Sequence, residues 1–159
     1  MLAHGLVLSV VASAWLLMVL WINPRLMVQD YPPDIQAAVP PKTAAEKRMA
    51  LVLGFPFLIL LVAVPLWSTW GLKQQLGELA SFRTLAEHAF GVVWIFNVFD
   101  WLVLDWAIFC AITPKFVVIP GTEGMAGYKN YFFHFRGFLI GTALSVVVGL
   151  LIAAAVYAG

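Results

Sequence analysis

Asn97, Asp100 and Asp105 stand inside an apolar run that extends from about Ala89 to Ile112. A carboxyl near the middle of a bilayer costs roughly 2.5–3.5 kcal/mol on insertion scales, so acids found there usually relay a proton, hold a cation or line a polar path. Asp100, with Asn97 beside it, falls near the midplane and has no evident cationic partner at that depth. It is expected to stay protonated and to donate to a neighbour. Asp105 lies about 7.5 Å further along at ~1.5 Å per residue. Arg25, Lys115, His134 and Arg136 are expected at the same face as Asp105 and within its reach. Two chemistries follow. Asn97, Asp100 and Asp105 suit a path for a proton, cation or small polar solute. Asp105 with His134 suits acid–base work, with Arg136 or Lys129 holding a phosphate or carboxylate. The plainer alternatives are internal hydrogen bonds, such as Asp100 to Ser9 or Ser13, and a buried salt bridge from Asp105 that fixes the third loop.

An α-helical wheel sorts this segment. With Asn97 at zero, Asp100 falls at about −60°, Trp101 at about +40°, Trp94 at about +60° and Asp105 at about +80°. Ile95, Phe99, Leu102, Val103, Trp106 and Cys110 occupy the other side without a charge and read as the lipid face. Trp94 and Trp101 read as packing residues or as the wall of a pocket. The angle between Asp100 and Asp105 disfavours a shared proton unless the helix is distorted.

The composition agrees with a lipid environment. The chain has 159 residues, 63% hydrophobic and 11% charged, against about 25% charged in soluble domains. A net charge of +1 with no basic patch excludes nucleic acid as a partner. The single cysteine, Cys110, excludes an internal disulfide, a CxxC redox pair and a thiolate metal cluster. No metal is expected, and no cofactor is implied.

Four apolar stretches reach the ~20 residues that a span requires, at about 2–22, 49–70, 89–112 and 137–157. Ala12-Ser13-Ala14 resembles a signal-peptide cleavage site. No basic segment precedes it and the apolar run continues to Trp21, so the first stretch reads as a retained helix. Thr43 with Glu46, and Thr84 with Glu87, read as capping boxes opening the second and third helices. Seven of the nine basic residues fall in the first loop (23–48) and the third loop (113–136). The positive-inside rule makes those loops cytoplasmic and leaves both termini outside.

Gly137, Gly141, Ser145, Gly149 and Ala153 recur every four residues in the fourth span, and Gly5, Ser9 and Ser13 form a shorter stripe in the first. Small residues let helix backbones approach closely in lipid, so these stripes are expected to seat neighbours, in the same chain or in another copy. Pro56 and Pro65 are expected to bend the second helix. In the first loop, Asp30-Tyr31-Pro32-Pro33-Asp34 reads as a rigid turn followed by one helical turn. In the third, Pro120-Gly121 suits a type II turn. Tyr128, Tyr131, Phe132 and Phe135 then read as an interfacial aromatic face, with Lys129, His134 and Arg136 able to meet anionic lipid head groups. His4 and His88 fall at the opposite face from His134. A bis-histidine haem with His134 is therefore geometrically poor, and only His4 and His88 could share a site.

Ile22-Asn23-Pro24-Arg25, Gln29-Asp30-Tyr31-Pro32, Asp100-Trp101 with Leu104-Asp105-Trp106, and Pro120-Gly121-Thr122-Glu123-Gly124 together resemble a group of small four-span bacterial membrane proteins. The resemblance covers most of the chain. It implies the architecture and a bacterial cytoplasmic membrane, and it implies no activity. The expectation is thus an all-α polytopic protein: one membrane domain over 1–159, four transmembrane helices in a bundle, associating with itself or with a partner membrane subunit. Transport through the intramembrane acids, an accessory role, and an enzyme acting on a lipid or anionic substrate at the cytoplasmic face are the functions this composition admits.

Overall fold

The computed structural model describes residues 1–159 and is all-α. The α-helices are α1 (Leu2–Ile22), α2 (Pro33–Ala38), α3 (Ala44–Leu76), α4 (Phe82–Phe99) and α5 (Tyr131–Ala158), with 3₁₀ turns at Pro24–Asp30, Gly77–Leu79 and Ala126–Lys129. α4 runs on without a break as a π-helix, Asp100–Ile112. Four helices are long and apolar enough to cross a membrane: Leu2–Ile22, Ala44–Leu79, Phe82–Ile112 and Tyr131–Ala158. The chain is a four-span integral membrane bundle. Its spans contain the predicted apolar cores, and the last three helices begin several residues earlier.

Capping chemistry sets those early starts. Thr43 and Glu46 form the predicted box, with Thr43 Oγ1 accepting from Glu46 N at 3.2 Å and Glu46 Oε2 accepting from Thr43 N at 2.7 Å. The third span differs from expectation. Ser81 is its cap, accepting from Thr84 N at 3.1 Å, and Glu87 pairs with Arg83 at 2.7 Å instead of reaching back to Thr84. Serine is the stronger N-cap of the two hydroxyl residues, and starting there adds most of a helical turn. Pro56 and Pro65 lie inside a continuous α3. Trp15 Nε1 donates to Leu53 O at 2.8 Å, beside Val52, whose carbonyl Pro56 leaves without its helical donor.

α4 is the central helix. It packs against α5 along most of its length and against α1, and α1 and α5 rest on it rather than on each other. α3 lies outermost. Small residues make these contacts close, and they do so within the chain. A Cβ on Gly5 would stand 2.8 Å from Ile95, and one on Gly149 would stand 2.8 Å from Phe90 N and 2.9 Å from its Cα. Gly141 fits against the Asn97 amide, Ser145 Oγ donates to Gly141 O at 2.7 Å, and Gly137 has nothing within 4 Å. Two apolar clusters close the half of the bundle that carries the termini. One is Leu85, Ala89, Ile152, Ala153 and Val156, and the other is Leu8, Ala12, Val92 and Phe96.

The two long loops fold onto each other at the opposite end. Tyr31, Ile35, Val117, Ile119 and Tyr128 form a buried cluster with Phe109 and Cys110 of the third span. Tyr31 Oη donates to Val117 O at 2.8 Å, Tyr128 Oη accepts from Ile119 N at 2.9 Å, and Asp34 Oδ2 accepts from Gly127 N at 2.9 Å. Gly121 has φ +88°, as the third position of the predicted turn requires. Tyr128 is buried here, not at the lipid interface where its spacing put it. Its hydroxyl supplies a partner for loop backbone that would otherwise be buried unpaired.

Candidate functional site

The site begins with the change of helix type at Asp100. From there to Ile112 the backbone bonds five residues back instead of four, ending with Thr113 N donating to Ile108 O at 2.8 Å. Thr113 closes the segment in the left-handed conformation, φ 48° and ψ 61°. Lys129 from the third loop caps its last carbonyls, donating to Cys110 O at 2.5 Å, Ala111 O at 3.2 Å and Thr113 Oγ1 at 2.7 Å. With more residues per turn than an α-helix, a π segment brings residues five apart nearer to one face. Asp100 and Asp105 have that spacing, and both line one cavity.

That cavity has a volume of about 470 Å³ and lies in the loop-bearing half of the bundle. Its back wall is Asn97, Asp100, Trp101 and Asp105, with His134 and Gly141 from α5. Gln29, Asp30 and Tyr31 of the first loop border its loop end. Most of the remaining lining is apolar, and neither lysine nor arginine contributes to it. The intramembrane residues expected to form a polar site are therefore gathered on one surface.

Each polar group has a distinct setting. His134 Nδ1 lies 2.9 Å from Asp105 Oδ1, with the imidazole 5% exposed and the carboxylate 27% exposed. Phe109 and Phe133 hold the ring at centroid distances of 4.8 and 5.3 Å. His134 Nε2 and Trp101 Nε1 are buried with no hydrogen-bond partner in the protein. Trp101 stacks on Phe138 at 4.4 Å and meets Trp106 edge-on at 4.8 Å. Asn97 Nδ2 donates to Phe138 O and Thr142 Oγ1, both at 3.1 Å, so this amide ties α4 to α5 while facing the cavity. At the cavity end, Asp30 is exposed at the surface, but the chain around its carboxyl partly desolvates it and raises its pKa, against the opposing effects of Gln29 and Lys42. Burial lowers the pKa of Lys42, whose ammonium donates to Leu26 O and Gln29 Oε1.

Several expectations are corrected. Asp100 receives no hydrogen bond from the first span, because Ser9 Oγ donates to Gly5 O at 2.8 Å and Ser13 Oγ is buried without a partner. The basic cluster around Asp105 reduces to His134. Arg25 instead locks the first loop, pairing with Glu46 at 2.6 Å and donating to Pro40 O and Pro41 O at 3.2 and 3.4 Å. Lys115 and Arg136 are exposed and do not line the cavity. Lys129 serves the π segment's carbonyls rather than an anion. The lipid face is shifted from where the wheel puts it. Cys110 is fully buried, Ile95 sits under Gly5, and Trp94 is 37% exposed. A central helix has neighbours on two sides, and beyond Asp100 the 100° step of an α-helix no longer applies.

His4 and His88 do come together, joined by a residue that sequence reasoning passed over. Ser68 Oγ lies 2.6 Å from His4 Nδ1 and 2.8 Å from His88 Nε2, tying three spans at the terminal end. Asp30 was likewise missed as a cavity residue. Its position in a polar loop carried no signal that the loop folds back over the bundle.

No protein-family model, curated protein or solved structure matches this chain.

Proposed function

We propose that this membrane protein admits a proton, a cation or a small cationic solute into a half-channel ending at Asp100, as the loop-side half of a transport path. The observation that carries the reading is the charge of the cavity. Three carboxylates, Asp30, Asp100 and Asp105, line it, and no lysine or arginine does. Such a surface attracts positive charge and repels phosphates and carboxylates. The loop side is the cytoplasmic side on the positive-inside argument, in a bacterial inner membrane on the resemblance described above. The cavity stops short of the other face at Leu8, Ala12, Val92 and Phe96, so passage requires those side chains to part. An accessory subunit held by internal hydrogen bonds has no need of a cavity of this size.

The test is flux into proteoliposomes, read for protons with a trapped pH dye and for sodium or potassium with ion-selective dyes. The wild type is expected to exceed protein-free vesicles, and Asp100→Asn to fall to their level while keeping its folded elution profile. Undiminished flux in that variant rejects the assignment.

A second reading rests on the 2.9 Å contact of Asp105 with His134. An aspartate that orients an imidazole is a general-base arrangement, and it would make this an enzyme acting on a neutral or cationic lipid. Turnover lost in both Asp105→Asn and His134→Gln, with proton and cation flux absent from the wild type, would favour it over transport.

A further inference from the structure

The cavity has two edges of different character. Gln29 and Asp30 at its loop end are exposed, as a mouth toward water requires. Ile140 and Leu144 also line it, and these apolar side chains are 61% and 58% exposed on α5. Across the gap stand Leu16 and Leu17 of α1, which packs on α4 and not on α5. Side chains that both line a cavity and face lipid border it on the lipid side. Together these side chains give the cavity an apolar edge between α1 and α5, with Phe57 of α3 also lining it. Behind that apolar edge lie the carboxylates of Asp100 and Asp105 and the aromatic walls of Tyr31 and Trp101.

We infer that the cavity binds an amphiphilic organic cation, an alkylammonium or a comparable lipophilic amine, that enters from the membrane between α1 and α5. The inference rests on the proposed cation-accepting cavity and specifies its ligand. Charge selects the head group: a permanent cation matches paired acids in low dielectric, and aromatic faces attract it further. The apolar edge selects the tail, since an inorganic ion has no use for an entry lined by Leu16, Leu17, Ile140 and Leu144. The size agrees, because about 470 Å³ lies in the roughly 300–1,000 Å³ range of small-molecule sites. A phosphate-bearing lipid is disfavoured by the same three acids.

The experiment is equilibrium binding of radiolabelled decyltrimethylammonium to the full chain in phosphatidylcholine nanodiscs, with empty nanodiscs subtracted. The uncharged decyl analogue carrying a tert-butyl head serves as competitor. Saturable binding is expected, displaced by unlabelled ammonium and not by the uncharged analogue. Affinity is expected to fall by at least about tenfold in Asp100→Asn and in Asp105→Asn. Ile140→Trp, which narrows the gap, is expected to slow association. Equal competition by the uncharged analogue overturns the proposal, using unmodified protein and so whatever the variants do. Absence of saturable binding, or unchanged affinity in both aspartate variants, also overturns it. The assay requires no ion gradient. Binding without flux retains this proposal and sinks the transport reading, and flux without binding does the reverse.

Discussion

The two halves of the bundle use the same four spans and arrive at opposite results. In the terminal half, α4 and α5 approach until Gly149 meets the Phe90 backbone, and most polar side chains find partners, Thr69 Oγ1 being buried without one. His4, Ser68 and His88 form one chain of hydrogen bonds, and Lys73 donates to Val156 O at 2.8 Å. In the loop half, α1 and α5 stand apart and the acids face open space. The difference traces to Asp100, where the third span changes from α to π geometry, and to the two loops, which take over the capping that a neighbouring span would provide. Close packing and the His4–Ser68–His88 hydrogen bonds make the first half a clamp. In the second half a distorted helix turns its acids to a cavity, and π segments are frequent at functional sites.

The sharpest way to break the contrast is at the layer between the halves. Phe96→Ala removes a side chain that packs edge-on against Phe57 at 5.8 Å. It is expected to cost about 3–5 kcal/mol, and it extends the cavity toward the terminal face. Reversible unfolding in mixed micelles reads the first effect, and raised basal leak in proteoliposomes reads the second. Next come the paired glycines. Gly149→Ala sets a Cβ against backbone that cannot yield and is expected to cost about 1–3 kcal/mol. Gly137→Ala, with nothing within 4 Å, is expected to leave the unfolding midpoint unchanged or slightly raised, alanine being the better helix former. Equal effects at both positions would show that the halves are packed alike.

His134→Phe leaves the Asp105 carboxylate without its donor, at an expected cost of about 1–3 kcal/mol. The loss should disappear when Asp105→Leu is combined with it, and a double-mutant cycle measures that coupling. The smallest effect is Asn97→Ala, which removes the donor to Phe138 O and Thr142 Oγ1. Interhelical hydrogen bonds in membranes average ~0.6 kcal/mol, so the midpoint should move slightly while flux through the neighbouring Asp100 changes more.

Much of this architecture is legible in the residues. Hydropathy locates the four spans because the penalty for burying charge in lipid acts on each segment separately. The four-residue glycine spacing marks the α5 face that seats α4, because an α-helix returns to the same side after about that interval. The Thr43–Glu46 box is readable because both partners lie within one turn. The Ser81 cap was equally local and was hidden only by a second, similar pattern at Thr84. Cys110 and Trp94 were misassigned because a wheel assumes one neighbour and one helix type, and α4 has more than one of each.

What the sequence determines alone is an all-α four-span membrane protein with intramembrane acids near the middle of its third span. Those features depend on residue type and short spacing. The tertiary structure alone decides that Asp100 and Asp105 share a cavity, that His134 and not Arg25 meets Asp105, and that Ser68 joins His4 to His88. The reason is physical. The π geometry that brings the two acids toward one face is held by Lys129, 17 positions beyond Ile112, and the cavity's loop end is bordered by a loop nearly 70 residues upstream of Asp100. Contacts across such separations form only once the spans have packed. Asp100 therefore reads as an anomaly in the sequence and as the back wall of a pocket in the fold.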